Sequence, residues 1–192
     1  MQARWGIILG LLLLLLLPST TCGRAATVTA TPPGSRRPPP SSRRFRSAVV
    51  DEAVTAIALR MRDPVLADIF ANCICNPLDT TIDRDAASAD SFVITGDISA
   101  MWLRDAFGQV AVYLPFLRGD PALAGMVAGL INRMANSIVT DPYANAFNKN
   151  ATAGPEASIH QGDERRPPMQ AQVFEGKYEL DSLAAFFGLS AR

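Results

Sequence analysis

Apolar positions along this chain change their spacing repeatedly, and each change marks a boundary. Trp5 to Leu17 is an unbroken apolar run that includes seven consecutive leucines. Residues 24–46 then carry almost no large apolar side chain. From Ser47 the spacing turns helical: Val49, Val50, Ala53, Ile57, Leu59 and Met61 recur at steps of three and four, and Asp51-Glu52 favour a helix start. A short helix is predicted from Val65 to about Asn72, with Leu66, Ile69 and Phe70 facing in. Thr80 to Phe92 is polar and irregular and ends in an apolar strand or turn at Phe92-Val93-Ile94. A long helix is predicted over Ala100 to Leu117, apolar nearly all round and therefore buried. Another is predicted from Pro121 to about Val139. Pro64 and Pro121 each follow an Asp, the pattern of a capping carboxylate followed by a first-turn proline. Pro142 to Gln172 reads as a long loop, and a last helix is predicted from near Phe174. The expected class is all-α.

The first boundary concerns export. Met1 to Arg4 carries one positive charge, Pro18 breaks the apolar run, and small residues follow through Gly23. The run is shorter than the roughly 20 residues that span a bilayer comfortably. That favours a signal peptide over 1–23, cleaved between about Thr20 and Ala26, over a retained signal anchor. Localisation is then secreted or in the secretory-pathway lumen, with no membrane contact after cleavage. Residues 24–46, rich in Thr, Pro, Ser and Arg, cannot bury a core and read as a disordered stalk. The folded domain is expected over 47–192.

Charge sharpens the partner classes. The whole chain has 18 basic and 18 acidic residues, but after Arg46 there are 11 basic against 18 acidic, a net of −7. An acidic domain argues against nucleic acid. His160 is the only histidine, and Cys73 and Cys75 alone do not complete a metal site, so no metal and no cofactor is expected. Cys22 is expected to leave with the signal. Cys73 and Cys75 are one residue apart, a spacing that rarely closes on itself; a partner elsewhere and burial as free thiols are both open. Asn150-Ala151-Thr152 is a glycosylation sequon in a predicted loop.

The chemistry gathers between Phe92 and Asp105, Phe-Val-Ile-Thr-Gly-Asp-Ile-Ser-Ala-Met-Trp-Leu-Arg-Asp. Asp97, Trp102, Arg104 and Asp105 stand where a loop meets a helix. Carboxylates and a guanidinium bind hydroxyl pairs, and an indole offers a flat apolar face to a sugar ring. The plainer reading is a core helix capped by Asp97, with Trp102 packed and Arg104 ion-paired.

This string resembles the signature of glycoside hydrolase family 125, metal-independent exo-α-1,6-mannosidases. Three further segments agree in the family's order: Asn76-Pro77-Leu78-Asp79-Thr80-Thr81, Asp141 to Asn148 (Asp-Pro-Tyr-Ala-Asn-Ala-Phe-Asn), and Glu175-Gly176-Lys177-Tyr178-Glu179-Leu180-Asp181-Ser182-Leu183. The resemblance spans roughly Arg46 to Leu183. It implies the N-terminal part of an (α/α)6 barrel, truncated. Such a barrel has about twelve helices and needs well over 300 residues. It also implies that the last part of the stalk docks on the domain.

Inverting glycosidases use two carboxyl groups about 6.5–9.5 Å apart. Acidic candidates are Asp79, Asp97, Asp105, Asp141, Glu175, Glu179 and Asp181. The resemblance implies that the family's acid and base come from later motifs, so no catalytic residue is assigned. It implies instead that the early motifs hold a terminal mannose of a glycan, through Asp97, Trp102, Arg104, Asp105, Asn145, Asn148, Glu179 and Asp181. Glu179 and Asp181, two apart, would point to different faces of a helix, so one at most is expected at the sugar. Departures from the pattern are Ser99, Ala106, Phe174 and Gly176, and the match ends after Leu183. The chain thus reads as an inactive N-terminal piece of an inverting, metal-independent α-mannosidase. The alternative is a non-catalytic carbohydrate-binding remnant of the same fold.

Overall fold

A computed structural model describes residues 36–85, 87–151 and 165–191. The expected signal peptide, Cys22, most of the stalk, Thr152 and His160 lie outside the described residues. Helix α1 spans Ala48–Ala58, with the Ser47 side chain accepting from Val50 N and Val50 and Val54 turned inward. Both Asp-Pro steps act as their sequence predicts. Asp63 accepts from Val65 N and Leu66 N at the start of α2 (Pro64–Asn76). Asp120 accepts from Leu123 N at the start of α4 (Pro121–Thr140). Each carboxylate satisfies backbone donors that a helix end leaves orphaned.

The inward face of α2 differs from the one expected. Leu66 and Ile69 are more than half exposed, while Ala67 and Cys75 are buried with Phe70, Ala71 and Ile74 beside them. The helix also runs a turn beyond Asn72, into a π-helical turn over Pro77–Thr81. The face that meets the core is thus the 67, 71, 75 stripe, four residues apart.

The molecule is mostly helical but not all-α. Strands β1 (Ile82–Asp85) and β2 (Asp90–Val93) form an antiparallel hairpin pairing Ile82 with Val93. A second, three-stranded antiparallel sheet has the order β3 (Ala100–Trp102), β4 (Ala146–Asn148), β5 (Val173–Glu175). The single helix predicted over Ala100–Leu117 is therefore three elements. Ala100–Trp102 pairs with β4, α3 covers Leu103–Ala111, and a 3-10 turn covers Leu114–Gly119. Pro115 explains the break, because it has no N–H to give a continuing helix. The Tyr113 hydroxyl anchors this corner by donating to Ile74 O at 2.6 Å. The helix predicted from Phe174 starts only at Leu180 (α5, Leu180–Ser190), since Phe174 and Glu175 lie in β5.

Packing is heaviest between α4 and β2 and between α3 and α5. Gly129 permits the first contact: a Cβ there would lie 2.6 Å from Ser91 Oγ and 3.1 Å from Ala89 O. Residues 36–46, expected to be unstructured, lie on the domain, as the resemblance implied for the end of that segment. Phe45 enters the core, and its N–H donates to Leu78 O. Arg37 makes a bidentate pair with the buried Asp79 at 2.6 and 2.9 Å and reaches Asp51 at 2.6 Å. Arg43 adds a longer contact to Asp79 at 3.6 Å, so two arginines supply the charge that this buried carboxylate requires.

Candidate functional site

The β3–β4–β5 sheet builds the centre of the site. Leu103 N donates to Asn145 O and Asn145 N donates to Glu175 O, so three distant segments meet edge to edge. Trp102 closes β3 and precedes α3 with an extended backbone. Its indole N–H donates to Glu175 Oε2 at 3.0 Å, and Asn145 Nδ2 donates to the same oxygen at 2.6 Å. Lys177 Nζ stands 3.1 Å from Glu175 Oε1. Burial alone would raise the Glu175 pKa. The hydrogen bonds from Asn145, Trp102 and Lys177 outweigh it and hold the carboxyl below its ordinary value. Trp102 also packs edge-on against Phe174, ring centres 5.3 Å apart. Asn145 is fully enclosed here and accepts from Lys177 N through its side-chain oxygen. In the sequence Glu175 is one of seven acidic candidates. Only the pairing of β4 with β5 singles it out.

Beside this buried knot, the first turn of α3 carries Arg104 and Asp105 at the surface. Arg104 Nη1 lies 3.2 Å from Glu179 and 3.0 Å from Asp181, and Nη2 lies 3.5 Å from Asp105. Asp181's hydrogen bond leads in raising the Arg104 pKa. The expectation that Glu179 and Asp181 diverge is corrected. Glu179 has an extended backbone, and α5 begins only at the next residue. The two-residue spacing therefore crosses a helix boundary, and both carboxylates turn to one guanidinium. Ser182 Oγ donates to Glu179 Oε2 at 3.1 Å and steadies it.

Two expected members stand apart. Asp97 is exposed in the turn before β3 and caps nothing, because α3 starts six residues later. Asn148 is buried, donates weakly to Val173 O at 3.5 Å, and lines a different depression with Asn132, Arg133 and Gln172, about 480 Å³ in volume. A second depression of about 420 Å³ lies between Arg36, Arg37, Asn72 and Gln109. Neither takes in Arg104, whose cluster sits on an open face. Asp79 and Asp141 serve structural pairs, Asp141 being clasped by Arg165 at 2.7 and 3.1 Å. Among the described residues no group of three or more His, Cys, Asp or Glu is arranged to hold a metal ion. Cys73 is exposed, Cys75 is buried, and both are free thiols; burial pushes the Cys75 pKa up to about 11.

A family model described as metal-independent alpha-mannosidase (GH125) matches residues 63–192. The meiotically up-regulated gene 157 protein of Schizosaccharomyces pombe is 39% identical over 153 residues, covering 77% of this chain and 30% of that protein. A solved Streptococcus pneumoniae structure, from a family of metal-independent alpha mannosidases, is a non-productive substrate complex with alpha-1,6-mannobiose. It superposes with a TM-score of 0.68 at 34% identity, covering 76% of this chain and 33% of that one. The chain thus spans about a third of the length of these relatives.

Proposed function

The chain belongs to the metal-independent α-mannosidase family GH125, and from that footing we propose that its Arg104 cluster is the wall of a pocket that grips a terminal α-1,6-linked mannose. One observation carries this reading. A half-exposed guanidinium stands among three carboxylates at the mouth of a sheet, with an indole fixed two residues away. Carboxylate oxygens keep spare acceptor sites after one ion pair. Neighbouring hydroxyls of a sugar can use them while the guanidinium fixes their direction.

The same geometry argues for gripping rather than cutting. Glu179 and Asp181 share one guanidinium nitrogen. That holds their oxygens closer together than the roughly 6.5–9.5 Å an inverting pair needs to admit water. The proposal therefore places the acid and base of an exo-acting, inverting, metal-independent mannosidase outside these residues. The chain contributes the N-terminal part of an (α/α)6 barrel that binds sugar without cleaving it. A purely sugar-binding remnant would behave alike in this chain. Assay of a polypeptide carrying the rest of the domain separates the two, since only the enzyme reading gives turnover there.

Calorimetric titration with α-1,6-mannobiose tests the gripping role. Arg104→Ala should weaken binding roughly ten- to hundredfold, the worth of a charged hydrogen bond. Undiminished affinity in that variant would return Arg104 to a structural ion pair. We further propose export into the secretory pathway, which the apolar run before Pro18 supports.

A further inference from the structure

Between the buried knot at Glu175 and the open cluster at Arg104 stands Lys177. Glu175 ends β5, Lys177 follows it by two residues, and Glu179 immediately precedes α5. Facing them are Trp102, bonded to Glu175, and Arg104, bonded to Glu179. Lys177 therefore lies in the short segment between two tied carboxylates, Glu175 and Glu179.

Its root and its head are both placed. The backbone N–H donates to Asn145 Oδ1 at 3.3 Å, and the ammonium is 3.1 Å from Glu175 Oε1. The Glu175 side chain is only 10% exposed, while that of Lys177 is 47% exposed. Glu175 already receives the Trp102 indole and the Asn145 amide on its other oxygen. The lysine takes the remaining oxygen, with its own side chain half in solvent. What the pair does fix is the position of a cation carrying three donors at the rim.

We propose that Lys177 is a further sugar-contact residue, its ammonium donating to a hydroxyl of the ring held at Arg104, and that Glu175 is the residue positioning it. This rests on the sugar-binding reading above and adds a second cation that sets how the ring is turned. Two fixed cations discriminate among hydroxyl arrangements better than one, because each hydroxyl must meet its own partner.

The test is a double-mutant cycle on the full chain, titrated with α-1,6-mannobiose by calorimetry, with thermal unfolding measured in parallel. Lys177→Met should weaken binding about tenfold, and Lys177→Arg should recover part of the loss. Glu175→Gln should weaken binding similarly, and the double variant should bind no worse than the weaker single one. Strictly additive losses would overturn the positioning role of Glu175. If Glu175→Gln does not fold, the two Lys177 variants still decide the contact. Unchanged affinity in Lys177→Met alongside a loss in Arg104→Ala would overturn the inference and leave the sugar-binding reading intact. No binding by the parent chain would overturn both.

Discussion

Glu175 takes hydrogen bonds in the interior from Trp102 and Asn145, whereas Arg104 divides its charge among three carboxylates at the surface. Their substitutions should therefore differ in kind. Arg104→Ala should leave Tm within about a degree or two, since exposed ion pairs contribute about 0–1 kcal/mol. Glu175 ties stability to pH. Its folded pKa lies below the ordinary 4.5, so its contribution is complete above that value and is lost as pH falls through the folded pKa. The Tm of the parent should fall below about pH 4.5 more steeply than that of Glu175→Gln, and parallel Tm–pH curves would refute the assignment. Six expected contact residues do share one neighbourhood: Trp102, Arg104, Asp105, Asn145, Glu179 and Asp181. Asp97 and Asn148 do not, for a local reason. Asp97 precedes a strand rather than a helix, and Asn148 lies at the far end of β4, three residues past Asn145, where it lines a different depression.

Elements that depend on local signals were legible, and those that depend on distant partners were not. Asp63-Pro64 and Asp120-Pro121 declare helix starts by themselves, and both helices begin there. Strands β3, β4 and β5 are three residues each, too short for a period-of-two pattern to register. Their pairing joins segments tens of residues apart. Met101-Trp102 thus reads as helix in isolation and becomes strand because Ala146 and Phe147 lie opposite. Two substitutions probe element contacts. Gly129→Ala should destabilise by about 1–3 kcal/mol, because its methyl would crowd Ser91 Oγ and the β2 backbone. Arg37→Ala should cost on the order of 3 kcal/mol, because it strips a buried carboxylate of its bidentate partner. Denaturant melts of both variants give these values directly, and an unchanged midpoint would contradict the packing described.

At the scale of the whole molecule, apolar side chains lie exposed at Val65, Leu66, Ile69, Leu180 and Phe187. Apolar surface of this kind favours association, so the chain by itself should self-associate, which light scattering would detect. In a secretory host, Asn150, exposed two residues after β4, should carry a glycan; loss of an enzymatic deglycosylation shift in Asn150→Gln would identify it. The Arg104 corner is proposed to hold mannose without cleaving it. Its most direct test is an NMR titration of the isotope-labelled chain with α-1,6-mannobiose, following the sugar and the protein together. Saturable shifts are expected at the Trp102 indole N–H, Arg104 and Asp105, with the disaccharide intact throughout. Shifts confined to the Asn132–Gln172 depression, or hydrolysis abolished by Asp181→Asn, would contradict it.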